Sequence, residues 1–204
     1  MISDVAQTIN IVHGFDQNVK STKRCFALIM SECAEMLEAD RKDRWSKNII
    51  AELVKRKDNL IEGMTLEQAH QFIDCLSEDS AETFDSWFQS VVKDTVEDEL
   101  ADVVIRICSY LASCNYKMQF DIDTDQQIGY YSYSYAMQDI SENIFDFMAS
   151  LTIAYSSESR CEELEKIAHS CYVFAHFVDI DLRWHVKMKL KYNGNRPYKH
   201  GKKY

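Results

Sequence analysis

A single proline, Pro197, and five glycines punctuate 204 residues. Sheet-rich folds use far more of both in their turns, so this scarcity leaves the chain little to build except helices. The apolar residues agree. Phe26, Ile29, Met30, Cys33 and Leu37 share one face of a helix read over about 21–41, and Val96, Leu100, Val103, Val104, Ile107 and Leu111 recur at helical spacing further on. The expected fold is all-α, a helical bundle with its acidic motifs on paired helices plus additional helices. It is read as one domain over 1–204, long enough to bury a core. Further helices are expected over about 2–12 and 46–62, and from Thr65, where Gln68 completes a capping box. A long helix should run from 79 or 80 to about 114, followed by helices over about 135–155, 160–178 (capped by Ser159 with Glu162) and 181–192. Residues 117–134, Asp-rich and then Gly129 before a run of tyrosines, read as a linker.

Charge is unevenly placed. Of 23 Lys and Arg, eight fall from Arg183 onward, where there is no acid, leaving all 33 acids against 15 bases in the preceding residues. So acidic a body argues against a nucleic-acid partner and for divalent cations. No apolar run is long enough to span a bilayer, and no membrane partner is expected. Seven cysteines, without a CxxC pair, point to a reducing, cytoplasmic setting; Cys25, Cys33, Cys108 and Cys171 sit among apolar residues as small hydrophobes.

The acids have a pattern. Glu32 and Glu35 lie three apart at the border of the first apolar stripe, and Glu99 and Asp102 lie three apart at the border of the second. Residues at this spacing stack one turn above another. If the two helices pack antiparallel through their stripes, the four carboxylates converge on one edge, where they repel or take up protons. Mg²⁺ relieves such a cluster by accepting oxygen ligands while keeping water and substrate phosphates, and metal-assisted attack of water on a phosphoryl group follows. The plain alternative is two solvated helix faces, with Asp102 and Arg106 as an ordinary i,i+4 ion pair. Lys93 is expected either to reach the site or to neutralise Glu97. The histidines form no ExxH set on paired helices, so a di-iron centre is not expected. Trp45 and Trp87 read as core or lid.

Three stretches, SECAEMLEADRK, KDTVEDELADVVIRI and KMKLKYNGNRPYKHGKKY, together resemble the MazG-like all-α nucleoside triphosphate pyrophosphohydrolases. The resemblance implies Mg²⁺, with Mn²⁺ as a substitute, held by Glu32, Glu35, Glu99 and Asp102. It also implies that Lys189, Asn193 and Arg196 bind the nucleotide phosphates. Glu35 is the carboxylate assigned the role of base. The implied reaction takes a nucleoside triphosphate and water to the monophosphate and pyrophosphate. Phosphoribosyl-ATP pyrophosphohydrolase chemistry and a noncatalytic helical binding module remain as alternatives, and a homo-oligomer is compatible with either.

A weaker pattern lies in the second half of the chain. ISENIFD at 140–146 echoes MSECAEM at 30–36, and EELEK at 162–166 echoes DELAD at 98–102. In this register Phe145 stands where Glu35 does and Lys166 where Asp102 does. The expectation is a degenerate second helical half over about 133–180, with chance similarity between amphipathic helices as its alternative.

Overall fold

The structure, a computed structural model, describes residues 21–46, 81–118 and 139–196. The helix expected over 2–12, nearly all of that over 46–62, the Thr65 capping box, most of the linker with its tyrosines, and His13, His70 and His200 lie outside the described residues. The described residues hold helices and no strand: α1 (Thr22–Arg41), α2 (Ala81–Val91), α3 (Val96–Ser113), α4 (Ile140–Ser156), α5 (Arg160–Phe177) and α6 (Leu182–Asn195). None of these is long and apolar enough to cross a membrane.

The helices end without glycine. Asp43, Asp94, Asn115 and Asp179 have positive φ, each just beyond a helix C-terminus. Asp and Asn tolerate this left-handed conformation better than other residues with a Cβ. After α3 the amide of Asn115 bonds to Ala112 O and that of Tyr116 to Leu111 O, both at 3.0 Å, the paired bonds of a Schellman turn. The same pairing closes α1 around Asp43 and α5 around Asp179. Short polar side chains thus do the work that the sequence has too few glycines to do.

This device corrects one expectation. The long helix over 79–114 is two helices, α2 and α3, because Asp94 turns left-handed (φ 60°) and Thr95 starts anew. Thr95 Oγ1 accepts from the Asp98 amide at 3.3 Å and donates to Val92 O at 2.6 Å. Two smaller expectations also change. Ser159 precedes α5 but makes no side-chain cap bond, its hydroxyl instead meeting that of Ser157, whereas Asp139 and Glu142 form a full capping box on α4. And α6 runs through Gly194 to Asn195, stopping where Arg196 turns extended (ψ 147°) ahead of Pro197.

Packing follows the stripes. Val96, Leu100, Val103, Val104, Ile107 and Leu111 are fully buried against Phe26, Ile29, Cys33 and Met36 of α1. The two helices run antiparallel: Phe26 meets Tyr110 edge-on, Glu32 reaches Arg106, and Arg44 O accepts from the Val96 amide. Helices α4 and α5 close a four-membered arrangement, α4 against α1 and α5, and α5 against α3. Helix α6 has two apolar faces. Leu182 and Val186 join the main core, while Trp184, Met188 and Tyr192 meet Phe84, Phe88, Val91 and Val92 in a second aromatic core. Trp87 packs edge-on against Trp184 there, and Trp45 joins the main core.

The burial of α5 repeats that of α3: Leu164, Glu165, Ile167, Ala168 and Cys171 are buried where Leu100, Ala101, Val103, Val104 and Ile107 are. On α4 the match to α1 is one residue off the sequence alignment. Asn143, Ile144 and Phe147 are buried as Glu32, Cys33 and Met36 are, while Phe145 is 68% exposed. By this burial pattern Asn143, not Glu142, corresponds to Glu32, and Asp146 to Glu35. Lys166 is ion-paired with Glu163 at 2.8 Å.

Thr95→Ala tests the break between α2 and α3. Losing the cap should destabilise the protein by about 1 kcal/mol, read in urea unfolding. In one continuous helix Ala would be the better helix former, and the same change would stabilise.

Candidate functional site

The first turn of α3 carries Glu97, Asp98 and Glu99, acids favoured there by the partial positive charge of a helix N-terminus. All three are buried. Glu97 accepts the Ser46 amide at 2.8 Å, and Lys93 pairs with the neighbouring Asp94. Asp98 accepts the Asp94 amide, and both its oxygens lie 2.7 Å from Lys189 Nζ. The same ammonium lies 2.8 Å from Asp102. Lys189 comes from the middle of α6, which lies across the N-terminal half of α3, and its head is buried between these carboxylates. Arg106, one turn beyond Asp102, reaches across to α1 and pairs with Glu32. The i,i+4 pair of Asp102 with Arg106 is therefore replaced by two cross-helix pairs.

Three of the expected carboxylates come together. An oxygen from each of Glu32, Glu99 and Asp102 lies within 4.8 Å of the others, and a second group of the same kind joins Asp94, Asp98 and Glu99. Glu35 stays outside both groups. It is exposed, yet close enough for its charge to raise the pKa of Glu32. Asn193 follows Lys189 at i+4 on the same side of α6, and Arg196 lies just beyond, where the chain leaves the helix. Both are half-buried, and the Arg196 guanidinium lies over the Tyr192 ring at 5.6 Å.

The electrostatics are strained in one direction. Burial raises the pKa of Glu32, Asp102 adds to this, and Arg106 opposes it. Burial likewise lifts Asp98 to about 6 in spite of Lys189. Glu99 is the extreme case: it receives no hydrogen bond or ion pair from any described residue, and burial with the charges of Asp98 and Asp102 pushes it up to about 9. Burial works against the Lys189 charge, but Asp102 and Asp98 outweigh it and its pKa is raised. Counted as ionised, the four carboxylates of Glu32, Asp98, Glu99 and Asp102 face the two cations Arg106 and Lys189. All the donors are hard oxygens, the set that Mg²⁺ or Mn²⁺ takes. By donor chemistry, charge and the unpartnered Glu99, the residues present fit such an ion.

Asp98 went unrecognised in the sequence, although it lies one turn before Asp102 on the same helix face. Nothing local announces its partner, which is 91 residues away. Compared with known proteins, the chain matches no family model, no curated protein and no solved structure.

Two outcomes follow from this geometry. With Glu99 raised from its ordinary 4.5 to about 9, the folded chain holds a proton the unfolded chain has released, so stability falls as pH rises between those values. Melting temperature should therefore decline from about pH 5 to about pH 9, the decline should flatten in Glu99→Gln, and Mg²⁺ should offset it by displacing the proton. A parent protein whose melting temperature ignores both pH and Mg²⁺ would contradict the electrostatic reading. Lys189→Met should cost about 3–5 kcal/mol in urea unfolding, because buried carboxylates lose their cation, and adding Asp98→Asn should recover part of the loss. A residue serving only as a phosphate contact, the role that the resemblance implies for Lys189, would leave stability unchanged.

Proposed function

We propose that this chain is a Mg²⁺-dependent nucleoside triphosphate pyrophosphohydrolase, releasing a nucleoside monophosphate and pyrophosphate. The observation that carries the reading is the convergence of Glu32, Glu99 and Asp102 within 4.8 Å, with Glu99 buried and unpartnered among the described residues. Glu32, Glu99 and Asp102 would hold the ion, which when bound supplies charge neutralisation and polarisation of the phosphates. Lys189 already holds Asp98 and Asp102, so its part is to fix the carboxylates. Contact with the triphosphate then falls to Asn193 as a neutral donor and Arg196 as a planar fork. Glu35, exposed beside Glu32, is left free to take the proton of the attacking water.

A second reading rests on a specific observation. Arg106 and Lys189 already partner Glu32, Asp98 and Asp102, as in a noncatalytic bundle held by ion pairs. Catalysis separates the two. A panel of NTPs and dNTPs with Mg²⁺, with products identified, should yield monophosphate and pyrophosphate from at least one substrate. Glu99→Gln should abolish this turnover while the fold persists. Arg196→Ala should lower kcat/KM by the equivalent of about 1–3 kcal/mol, the range of a charge-assisted hydrogen bond. Hydrolysis of none of the panel, or full activity in Glu99→Gln, would leave the ion-paired bundle as the better account.

A further inference from the structure

The Arg106 guanidinium meets Glu32 along one edge. Its Nε donates to Glu32 Oε1, and Nη2 lies against the same oxygen. A carboxylate oxygen offers two lone pairs, so these two donors fill Oε1. Oε2 accepts no hydrogen bond from a described residue. The contact crosses from α3 to α1 beside the converging carboxylates, and Glu32 otherwise meets like charge there, from Asp102 and Glu35. A glutamate has several side-chain torsions with which to swing away from such repulsion.

We propose that Arg106 is a positioning residue for the divalent cation: it holds Glu32 at the seam through Oε1 and leaves Oε2 as the oxygen that the cation takes. The inference rests on the metal reading of Glu32, Glu99 and Asp102 given above. Arginine and metal then use different oxygens, so Glu32 need not release Arg106 when the metal binds. The fork matters as well as the charge. Two N–H groups in one plane fix a carboxylate in a way that a lysine ammonium, a compact point charge, does not. Orientation and charge act on metal affinity with opposite signs. Were Arg106 there only to balance charge, its removal would leave the carboxylates more negative and tighten the metal. If it orients Glu32, its removal loosens the metal. The Arg106 side chain is 30% exposed, so water screens its repulsion of the cation, whereas its short-range bonds to Glu32 persist. Orientation therefore prevails.

The test titrates the full chain with Mn²⁺ and reads the free ion by electron paramagnetic resonance, which needs no turnover. The parent should bind Mn²⁺ and Glu99→Gln should lose it; a parent that binds none would end the metal reading itself and this proposal with it. In Arg106→Met the Kd should rise about 10–100-fold, the usual effect of removing a partner that orients a metal ligand. Arg106→Lys keeps the charge without the fork and should bind more weakly than the parent but more tightly than Arg106→Met. Far-UV circular dichroism identifies the folded variants, and Arg106→Lys decides the matter should Arg106→Met not fold. In the Glu32→Gln background, adding Arg106→Met should weaken binding no further, because the arginine acts through Glu32. A parent that binds Mn²⁺ while Arg106→Met binds it equally or more tightly would overturn the positioning role and leave the metal reading standing. Parent-like affinity in Arg106→Lys, or a loss undiminished in the Glu32→Gln background, would do the same.

Discussion

Lys189 and Arg106 pull four carboxylates under cover at the seam of α1, α3 and α6, and they bring too little positive charge to balance them. Burial in a medium that solvates charge poorly makes each uncompensated carboxylate costly, so the deficit settles on the group with no partner of its own, Glu99. The site is therefore set by where the helices cross rather than by the motif residues alone. Helix α1 supplies Glu32, α3 supplies Asp98, Glu99 and Asp102, and α6 supplies the cation that lets two of these sit side by side. Burial and the neighbouring carboxylates push Glu99 toward its protonated form.

That crossing depends on the break between α2 and α3. Were the two helices continuous, the first turn of α3 would lose its free amides and its affinity for acids. Instead Asp94 turns left-handed, Thr95 caps the new helix, and α2 is free to pack on α6 through Phe84 and Phe88. Tyr192 stacks on Phe88 at 4.4 Å, and Lys189 Nζ lies 5.8 Å from the same ring. The second aromatic core thus braces the turn of α6 that delivers the lysine. Helix α2 thereby helps to set the charge balance of the site through the packing of Phe84 and Phe88 on α6.

What could be read from the sequence was whatever repeats locally. The helical class followed from scarce Gly and Pro, α1 was bounded to within a residue, and the stripes of α1 and α3 named their core residues. The border positions named Glu32, Glu99 and Asp102. Three things escaped. The α2–α3 break is made by Asp94 in a conformation normally sought at glycine. Asp98 and Arg106 have partners fixed only by tertiary crossing, so spacing paired Arg106 with Asp102 when its charge goes to Glu32. Glu35 shares a motif and a three-residue spacing with Glu32, yet in the described structure it is exposed, outside the crossing that brings Glu32 to Glu99 and Asp102. In the second half, burial shifts the alignment of α4 by one residue, a distinction that a seven-residue similarity cannot make.

The central claim is that the unbalanced charge is the place of a divalent cation. Its most direct test is an anomalous-scattering map from crystals of the full chain grown with Mn²⁺. The account predicts a single strong peak within coordination distance of Glu32, Glu99 and Asp102, with Lys189 still against Asp98. Crystals that diffract well with Mn²⁺ present, yet show no peak among these three carboxylates, would contradict it.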